Sequence, residues 1–160
     1  MSKRKGLQHV IRGFNTFLKT CDSKGYKLIL AGGVIKGQEE AFYEIQDLIL
    51  KNRVKEKIII KGFVDESEQD ELYRNAYAVV IPAELTMGSS GPLYHSNSHG
   101  KAPICSKVGH FIEDIDDNKS GILVDNRQWH KAFYFAINNP DKISEIERAV
   151  TRKAKERSPF

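Results

Sequence analysis

The sequence has 160 residues, of which 40% are hydrophobic and 29% are charged, and its formal net charge is +4 at pH 7. This length and composition fit a soluble globular protein with one domain and one apolar core. No apolar run approaches the roughly 20 residues that cross a bilayer, and no apolar segment closely follows the basic first residues, which argues against a membrane span and a secretory signal.

Helical and strand-like patterns alternate in the first half of the chain. Apolar residues from Leu7 to Leu18 recur at three- and four-residue steps, which predicts an amphipathic helix that ends by Lys24-Gly25. Short apolar runs predict buried strands. After the first helix, the predicted elements are a strand at 26–31, a helix at 38–52, a strand at 57–60 and a helix at 67–76.

The same alternation continues to the end of the chain. The predicted strands are 78–81, 102–105 and 121–124, and the predicted helices are 92–99, 109–115, 127–138 and 141–156. Short, uninterrupted apolar strands between helices are typical of a parallel sheet that is covered on both faces. The sequence therefore predicts an α/β fold, a three-layer α/β/α sandwich with a mainly parallel sheet, as one domain over residues 1–160.

Small residues gather where the strand 78–81 ends. Gly88, Ser89, Ser90 and Gly91 come directly before Pro92, which suits the first turn of a helix. Glycine allows a close approach of the backbone, serine adds hydroxyl donors, and a helix N-terminus attracts anions. The sequence therefore predicts a phosphate or diphosphate site here, and a plain turn between strand and helix is the alternative.

The order of several short motifs resembles the donor-binding domain of GT-B glycosyltransferases. The similarity is to the large group 1 or family 4 type of retaining enzyme, which uses nucleotide-diphosphate sugars, and it covers nearly the whole chain. It implies a Rossmann-like domain that forms one half of a GT-B fold. The motifs that carry it are Lys5-Gly6-Leu7, Leu28-Ile29-Leu30-Ala31-Gly32-Gly33, Gly62-Phe63-Val64, Val80-Ile81-Pro82, His99-Gly100-Lys101-Ala102-Pro103-Ile104, Val108-Gly109 with Glu113, and Asn118-Lys119-Ser120-Gly121-Ile122-Leu123-Val124.

The resemblance assigns a role to Lys5. In the family, a lysine before glycine at this place contacts the donor diphosphate, and a cation there stabilises negative charge on the departing group. Lys5 is therefore the expected catalytic and diphosphate-binding residue, together with Gly88, Ser89, Ser90 and Gly91. A surface lysine before a helix is the alternative. The family also places an arginine and a first strand upstream, and neither is found in this sequence, so a central strand of the sheet is expected to be either absent or supplied by something else.

The chain departs from the family at its paired carboxylates. Two glutamates normally bracket the glycine-rich loop, and the second one holds the donor ribose; Met87 and His95 occupy these positions here. His95 can still hydrogen-bond a ribose or sugar hydroxyl through a ring nitrogen. Glu84 reaches the site only if the loop rearranges.

The base of the donor is expected to lie against Phe63 and Val64, as relatives hold it there. Phe63 fits a core position equally well, and Gly32-Gly33 fits either the cleft or a plain turn. His99 and His110 do not give a metal spacing with His95, and GT-B enzymes need no bound metal. We therefore expect no metal cofactor.

The resemblance also implies the partners. The expected function is transfer of a sugar from a nucleotide sugar to an acceptor hydroxyl with retention, and the acceptor stays open among a glycan, a lipid and a protein. The acceptor-binding amino-terminal domain is absent from this chain, so independent activity is not expected, and the missing domain acts in cis or in trans. A degenerate, non-catalytic GT-B-like binding module is the alternative.

Charge and cysteine usage bear on location. The basic ends, 3–5 and 148–157, fit a solvated surface or peripheral association with the cytoplasmic face of a membrane. They lack the interleaved aromatics of a nucleic-acid site, so no nucleic acid is expected. Cys21 and Cys105 are expected to be free, buried thiols in a reducing cytoplasm.

Overall fold

A computed structural model describes residues 5–51, 55–86 and 88–157. Within these ranges, every helix and strand expected from the sequence is present, with boundaries shifted by only a few residues. The elements in chain order are α1 (Leu7–Thr20), β1 (Leu28–Ala31), α2 (Glu39–Lys51), β2 (Ile58–Gly62), α3 (Glu66–Asn75), β3 (Val79–Ile81), α4 (Gly91–Ser98), β4 (Pro103–Ser106), α5 (His110–Asp114), β5 (Ile122–Val124), α6 (Trp129–Asn138) and α7 (Pro140–Arg157).

Local chemistry explains where the helices begin. Asp65 precedes α3, and its carboxylate accepts a hydrogen bond of 2.8 Å from the backbone N–H of Glu68. Ser90 precedes α4 and caps it in the same way, through a 3.2 Å bond from the N–H of Leu93. Such caps satisfy amide groups that have no partner within the helix.

All strand pairs are parallel, as expected, but the described strands form two sheets instead of one. β1 pairs with β2, with Leu28 opposite Ile58, and β3, β4 and β5 form a second sheet in which Ile104 lies opposite Val80 and Ile122. β1 and β3 are not hydrogen-bonded to each other. The expected mainly parallel α/β arrangement is therefore confirmed, with the described strands divided between two sheets.

Two apolar clusters cover the two faces of the strands. Ile104 belongs to the larger cluster, formed with α1, α2, α6 and α7, whereas its neighbour Cys105 belongs to a smaller cluster with Leu93 of α4 and Phe111 of α5. Successive side chains of a strand point to opposite faces, so the alternation establishes the three-layer α/β/α arrangement. Leu28 and Leu30 place the larger cluster under β1 as well.

The two cysteines differ in their surroundings. Both thiols are free, but Cys105 is buried and Cys21 is only half-buried at the end of α1. The prediction that both are buried is therefore wrong for Cys21, which follows the last turn of α1 and packs only partly against the larger cluster. Among the described residues, no helix combines the length and the apolarity needed to cross a bilayer.

Candidate functional site

A cleft of about 1890 Å³ runs along β1 and β3, from Tyr26 and Tyr77 before their amino ends to the loops at the carboxyl ends of β1, β2 and β3. Ligands of open parallel sheets bind at this edge. The cleft brings together residues that are far apart in the sequence, including most of the predicted site. Predicted site residues that line it are Lys5, Phe63, Val64, Gly88, Ser89 and Ser90.

The Lys5 side chain is exposed and lines the cleft. Among residues 5–51, 55–86 and 88–157, no carboxylate forms an ion pair with it, so its positive charge is available to an anionic ligand. Lys61, also in the cleft, is instead paired with Glu68 at 3.0 Å. Arg12 and Lys27 also line the cleft without an ion pair to a described residue, so Lys5 is one of three such cations in the cleft lining.

The start of α4 offers fewer amide donors than the sequence suggested. Pro92 has no N–H, and the N–H groups of Leu93 and Tyr94 already donate to the side chain and the carbonyl of Ser90. Within the described chain, the N–H of Gly91 is the helical donor left for a ligand. The Ser90 hydroxyl acts as a cap, yet its own hydrogen can still be donated to an anion.

Gly88 and Ser89 extend into open space in front of this helix. Gly88 has φ +80°, a left-handed conformation that suits glycine, and a Cβ at this position would meet no atom within 4 Å. Both residues are exposed and line the cleft. Their backbone is therefore accessible from the cleft that Lys5 also lines. Gly91, by contrast, begins α4 and is not among the lining residues.

A buried polar network fixes the loop that leaves β3. Ser106 donates to the amide oxygen of Asn126 over 2.6 Å and accepts from the N–H of Ala83 over 2.9 Å. Asn126 donates to the carbonyl of Ala83 over 2.9 Å and accepts from the indole of Trp129 over 3.2 Å. Every polar atom in this network therefore has a partner, which holds the loop rigidly beside the cleft.

Glu84 is held by two side chains of α1. Its Oε1 lies 2.8 Å from Nε2 of Gln8 and 2.5 Å from Nε2 of His9. It is absent from the cleft lining. Glu84 therefore does not replace the carboxylates that the family carries. Met87, which occupies the first of those two positions, lies outside the described residues.

His95 packs against the wall of the cleft through Tyr73. The ring centroids of His95 and Tyr73 are 5.6 Å apart, and His99 stacks on the same tyrosine at 5.2 Å. Nδ1 of His99 lies 2.7 Å from the carbonyl of His95, and Nε2 lies 3.2 Å from Asp70. Tyr73 lines the cleft, and burial raises the pKa of its phenol. These contacts give His99 a structural role. His95 does not line the cleft itself but lies behind the ring of Tyr73, which does.

Phe63 is not a core residue. Its side chain is 82% exposed at the end of β2 and lines the cleft together with Gly33 and Val64. An aromatic ring left in solvent at the mouth of a cleft offers a flat apolar surface for a ring of a ligand. The structure therefore excludes the core alternative for Phe63, and Gly32-Gly33 belong to the cleft as well as to the turn.

Two residues of the loop that leaves β3 were not predicted from the sequence. Leu85 is 63% exposed and lines the cleft. Thr86 also lines it, and its hydroxyl oxygen accepts from the N–H of His110 over 2.9 Å. A Cβ on Gly109 would lie 2.0 Å from that oxygen. The signal in the sequence was their position between the end of β3 and the run of glycine and serine that follows.

In the described chain no group of three or more His, Cys, Asp or Glu side chains is arranged to hold a metal ion.

Comparison with known families gives one match over almost the entire chain. The model of the family described as "Glycosyl transferases group 1" matches residues 1–157. A curated relative, an uncharacterized glycosyltransferase of Methanocaldococcus jannaschii, is 28% identical over 124 residues, which are 78% of this chain and 30% of the relative. This chain therefore spans less than a third of that protein.

Solved structures resemble the whole of this chain. HepE of Anabaena, crystallised with UDP and with UDP-glucose, superposes with a TM-score of 0.86 at 18% identity, over 98% of this chain and 42% of HepE. The C-terminal domain of the group 1 glycosyl transferase LpcC from Francisella tularensis gives a TM-score of 0.86 at 21% identity, over 98% of this chain and 81% of the other. The fold is thus that of a GT-B carboxyl-terminal domain.

Proposed function

Because the chain belongs to the glycosyl transferases group 1, we propose that it binds the nucleotide-diphosphate sugar of a retaining glycosyl transfer. In this proposal the diphosphate lies between Lys5 and the Gly88-Ser89-Ser90-Gly91 loop, and the base lies on Phe63 and Val64. His95 contacts the ribose or the sugar by reaching past Tyr73. The observation that carries the proposal is that Lys5, Gly88, Ser89 and Phe63 line one cleft.

Electrostatics support the role of Lys5. A diphosphate leaving group gains negative charge as the glycosidic bond to the donor sugar breaks, and a fixed cation lowers the energy of that state. Lys5 precedes α1, so it is carried by a helix that is held in the core through Val10, Ile11 and Phe14. Retention of configuration belongs to the proposal through the family and is tested by the anomer formed in the product.

The acceptor is proposed to bind outside this chain. The chain covers 42% of HepE and 30% of the archaeal relative, and the cleft residues account for a donor alone. We propose that an amino-terminal GT-B domain, in cis or in trans, supplies the acceptor site, which a glycan, a lipid or a protein would occupy. Transfer by these 160 residues alone is not expected.

Calorimetry with UDP, GDP, ADP and their sugars tests donor binding. Lys5→Ala should weaken the binding of the preferred nucleotide by about tenfold to 150-fold, because a charge-assisted contact contributes roughly 1.5–3 kcal/mol. Lys131→Ala is the matched control, since Lys131 is exposed on α6 and outside the cleft. Absence of binding across the whole panel would contradict the proposal, as would equal losses in the two variants.

Two further expectations complete the proposal. Donor binding should not need a metal ion, so the measured affinity should be the same with EDTA and with magnesium.

The protein is proposed to act in the cytoplasm, with its basic α7 able to contact the acidic face of a membrane. Sedimentation with vesicles of phosphatidylserine and with neutral vesicles tests that contact.

A second candidate is a GT-B-like module that binds a partner or an anion and catalyses nothing. The observation that favours it is Glu84, which is held by Gln8 and His9 while Met87 and His95 stand at the carboxylate positions. Sugar transfer by this chain joined to its amino-terminal domain separates the two candidates. Transfer that is lost in Lys5→Ala and Ser89→Ala favours the enzyme, and nucleotide binding without transfer favours the module.

A further inference from the structure

The α3 helix contributes to the cleft wall although none of its residues is buried. In the described ranges, two ion pairs join its side chains to other elements. Glu68 pairs with Lys61 of β2 at 3.0 Å. Asp70 pairs at 3.2 Å with His99, the residue that follows the last turn of α4. Because Tyr73 of α3 lines the cleft, these pairs bear on the shape of the cleft wall.

Both ring nitrogens of His99 face oxygen acceptors. Nδ1 lies 2.7 Å from the carbonyl oxygen of His95, and Nε2 lies 3.2 Å from Oδ1 of Asp70. A neutral imidazole carries one N–H, so it serves one of these oxygens and turns a lone pair towards the other. The doubly protonated ring presents an N–H to both, and its positive charge is paired with a carboxylate. The geometry therefore matches the imidazolium form of His99.

The same ring packs against Tyr73. The ring centroids of His99 and Tyr73 are 5.2 Å apart, with 17° between the ring planes, and the His99 side chain is 18% exposed. A cation within about 6 Å of an aromatic face is attracted to it, so the imidazolium holds Tyr73 more strongly than the neutral ring does. His95 stacks on the same tyrosine. The charge on His99 therefore acts on both neighbours of His95 in the cleft wall, α3 and Tyr73.

We propose that His99 is a positioning residue for donor binding: its imidazolium, paired with Asp70, holds Tyr73 in the cleft wall beside His95. The inference deepens the donor-binding proposal and rests on it, because His95 is the group that reaches the ribose or the sugar past Tyr73. Loss of the ring proton removes the pair with Asp70 and weakens the stacking on Tyr73. Donor affinity should therefore fall as the pH rises through the range in which histidine releases its proton.

Ionisable groups from three helices surround this part of the chain. α3 presents Asp70 and Tyr73, and α4 presents His95. Burial raises the pKa of the Tyr73 phenol, so that group stays uncharged while histidine titrates. α7 packs on α4 next to Gly100, where its charged side chains line a shallow pocket: Glu147, Arg148, Arg152, Lys155 and Glu156. In the described chain none of these forms an ion pair with His99, so Asp70 is the carboxylate that answers its charge.

NMR of the ligand-free chain tests the inference without a nucleotide. Long-range ¹H–¹⁵N spectra record the protonation of the His99 ring, and amide exchange at the same pH values records the protection of α3. As His99 loses its proton, the protection of α3 should fall by about threefold to fivefold, the change that one partly exposed ion pair can support. The protection of α6 should not change. Deprotonation of His99 that leaves the protection of α3 unaltered would overturn the inference.

Calorimetry with UDP-glucose, GDP-mannose and ADP-glucose extends the test to the donor. Between about pH 6 and pH 8, where histidine titrates, the affinity for the preferred nucleotide sugar should fall by about threefold to fivefold. His99→Gln keeps a neutral donor that does not titrate, and it should flatten this profile. His130→Gln is the control, because His130 lies on α6 outside the cleft lining, and it should keep the slope.

The outcomes separate the two proposals. A slope that persists in His99→Gln, or one that is also lost in His130→Gln, would overturn the role given to His99 while leaving donor binding intact. Absence of binding by all three nucleotide sugars at every pH would contradict the donor-binding proposal. Amide exchange would then still decide whether protonated His99 holds α3 and Tyr73 in place.

Discussion

Gly6 packs directly on the backbone of Ala83, and this contact joins the Lys5 end of α1 to the loop that leaves β3. Gly6 has φ +64°, and a Cβ on it would lie 3.1 Å from the carbonyl carbon of Ala83. The contact therefore holds Lys5 and the loop after β3, the two sides of the proposed diphosphate site, next to each other. Only glycine fits at position 6 without strain.

Gly6→Ala should destabilise the protein more than its backbone conformation alone explains. The left-handed conformation costs an alanine about 1–2 kcal/mol, and crowding against Ala83 adds about 1 kcal/mol or more. Gly25→Ala is the control, because Gly25 has φ +82° and nothing within 4 Å of its Cβ position. Urea unfolding measures both variants, and equal losses would show that the contact with Ala83 contributes nothing.

Asn126→Ala should lower the free energy of unfolding by about 2–3 kcal/mol, because it leaves the hydroxyl of Ser106, the indole of Trp129 and the carbonyl of Ala83 without their partner. Asn138→Ala provides the comparison, since the amide of Asn138 bonds the carbonyl of Tyr134 at the surface. Similar stabilities of the two variants in urea would contradict the structural role of the network.

Phe63→Ala should weaken nucleotide binding by about fivefold to 150-fold while leaving stability within about 0.5 kcal/mol of the parent. Stacking of a base on an aromatic ring contributes roughly 1–3 kcal/mol, and an 82% exposed ring contributes little to the core. Tyr134→Ala, at an exposed position on α6, is the control for loss of a surface aromatic. A variant that unfolds, or one that binds with unchanged affinity, would disprove the role given to Phe63.

Cys105 should resist thiol reagents in the folded protein. Its side chain is fully buried, and desolvation raises the pKa of the thiol well above its ordinary value of about 9. The native protein should therefore react rapidly at Cys21 alone, and at both cysteines once it is unfolded. Peptide mapping after alkylation identifies the modified residue, and rapid native labelling of Cys105 would contradict its burial.

The same shift of the Cys105 pKa has a consequence for stability. Above about pH 9 the unfolded chain loses the thiol proton that the folded chain keeps, so this group lowers the free energy of unfolding as the pH rises. Urea unfolding at pH 8 and pH 10, compared with a Cys105→Ala variant, measures the contribution. If the free energy of unfolding falls more steeply between pH 8 and pH 10 in Cys105→Ala than in the parent protein, the contribution predicted for the Cys105 thiol is wrong.

Sequence patterns located the elements because short apolar strands and amphipathic helices have distinct periods. The run of small residues before Pro92 pointed to Gly88, the family resemblance pointed to Lys5, and both residues line one cleft. The same patterns indicated that a central strand is absent or supplied by something else, but not which of the described strands pair, because strand pairing depends on residues distant in sequence. Nor did they reveal that Glu84 is tied to α1, since its partners Gln8 and His9 lie 76 and 75 positions away.

Chemical-shift mapping of the isotopically labelled chain during titration with UDP-glucose, GDP-mannose and ADP-glucose tests the central claim most directly. At least one of these nucleotide sugars should shift the resonances of Lys5, Gly88, Ser89 and Phe63 together, because these residues share one cleft, and should leave those of Lys131 in place. Shifts confined to α7, or no shift with any of the three, would contradict donor binding at the carboxyl edge of the strands.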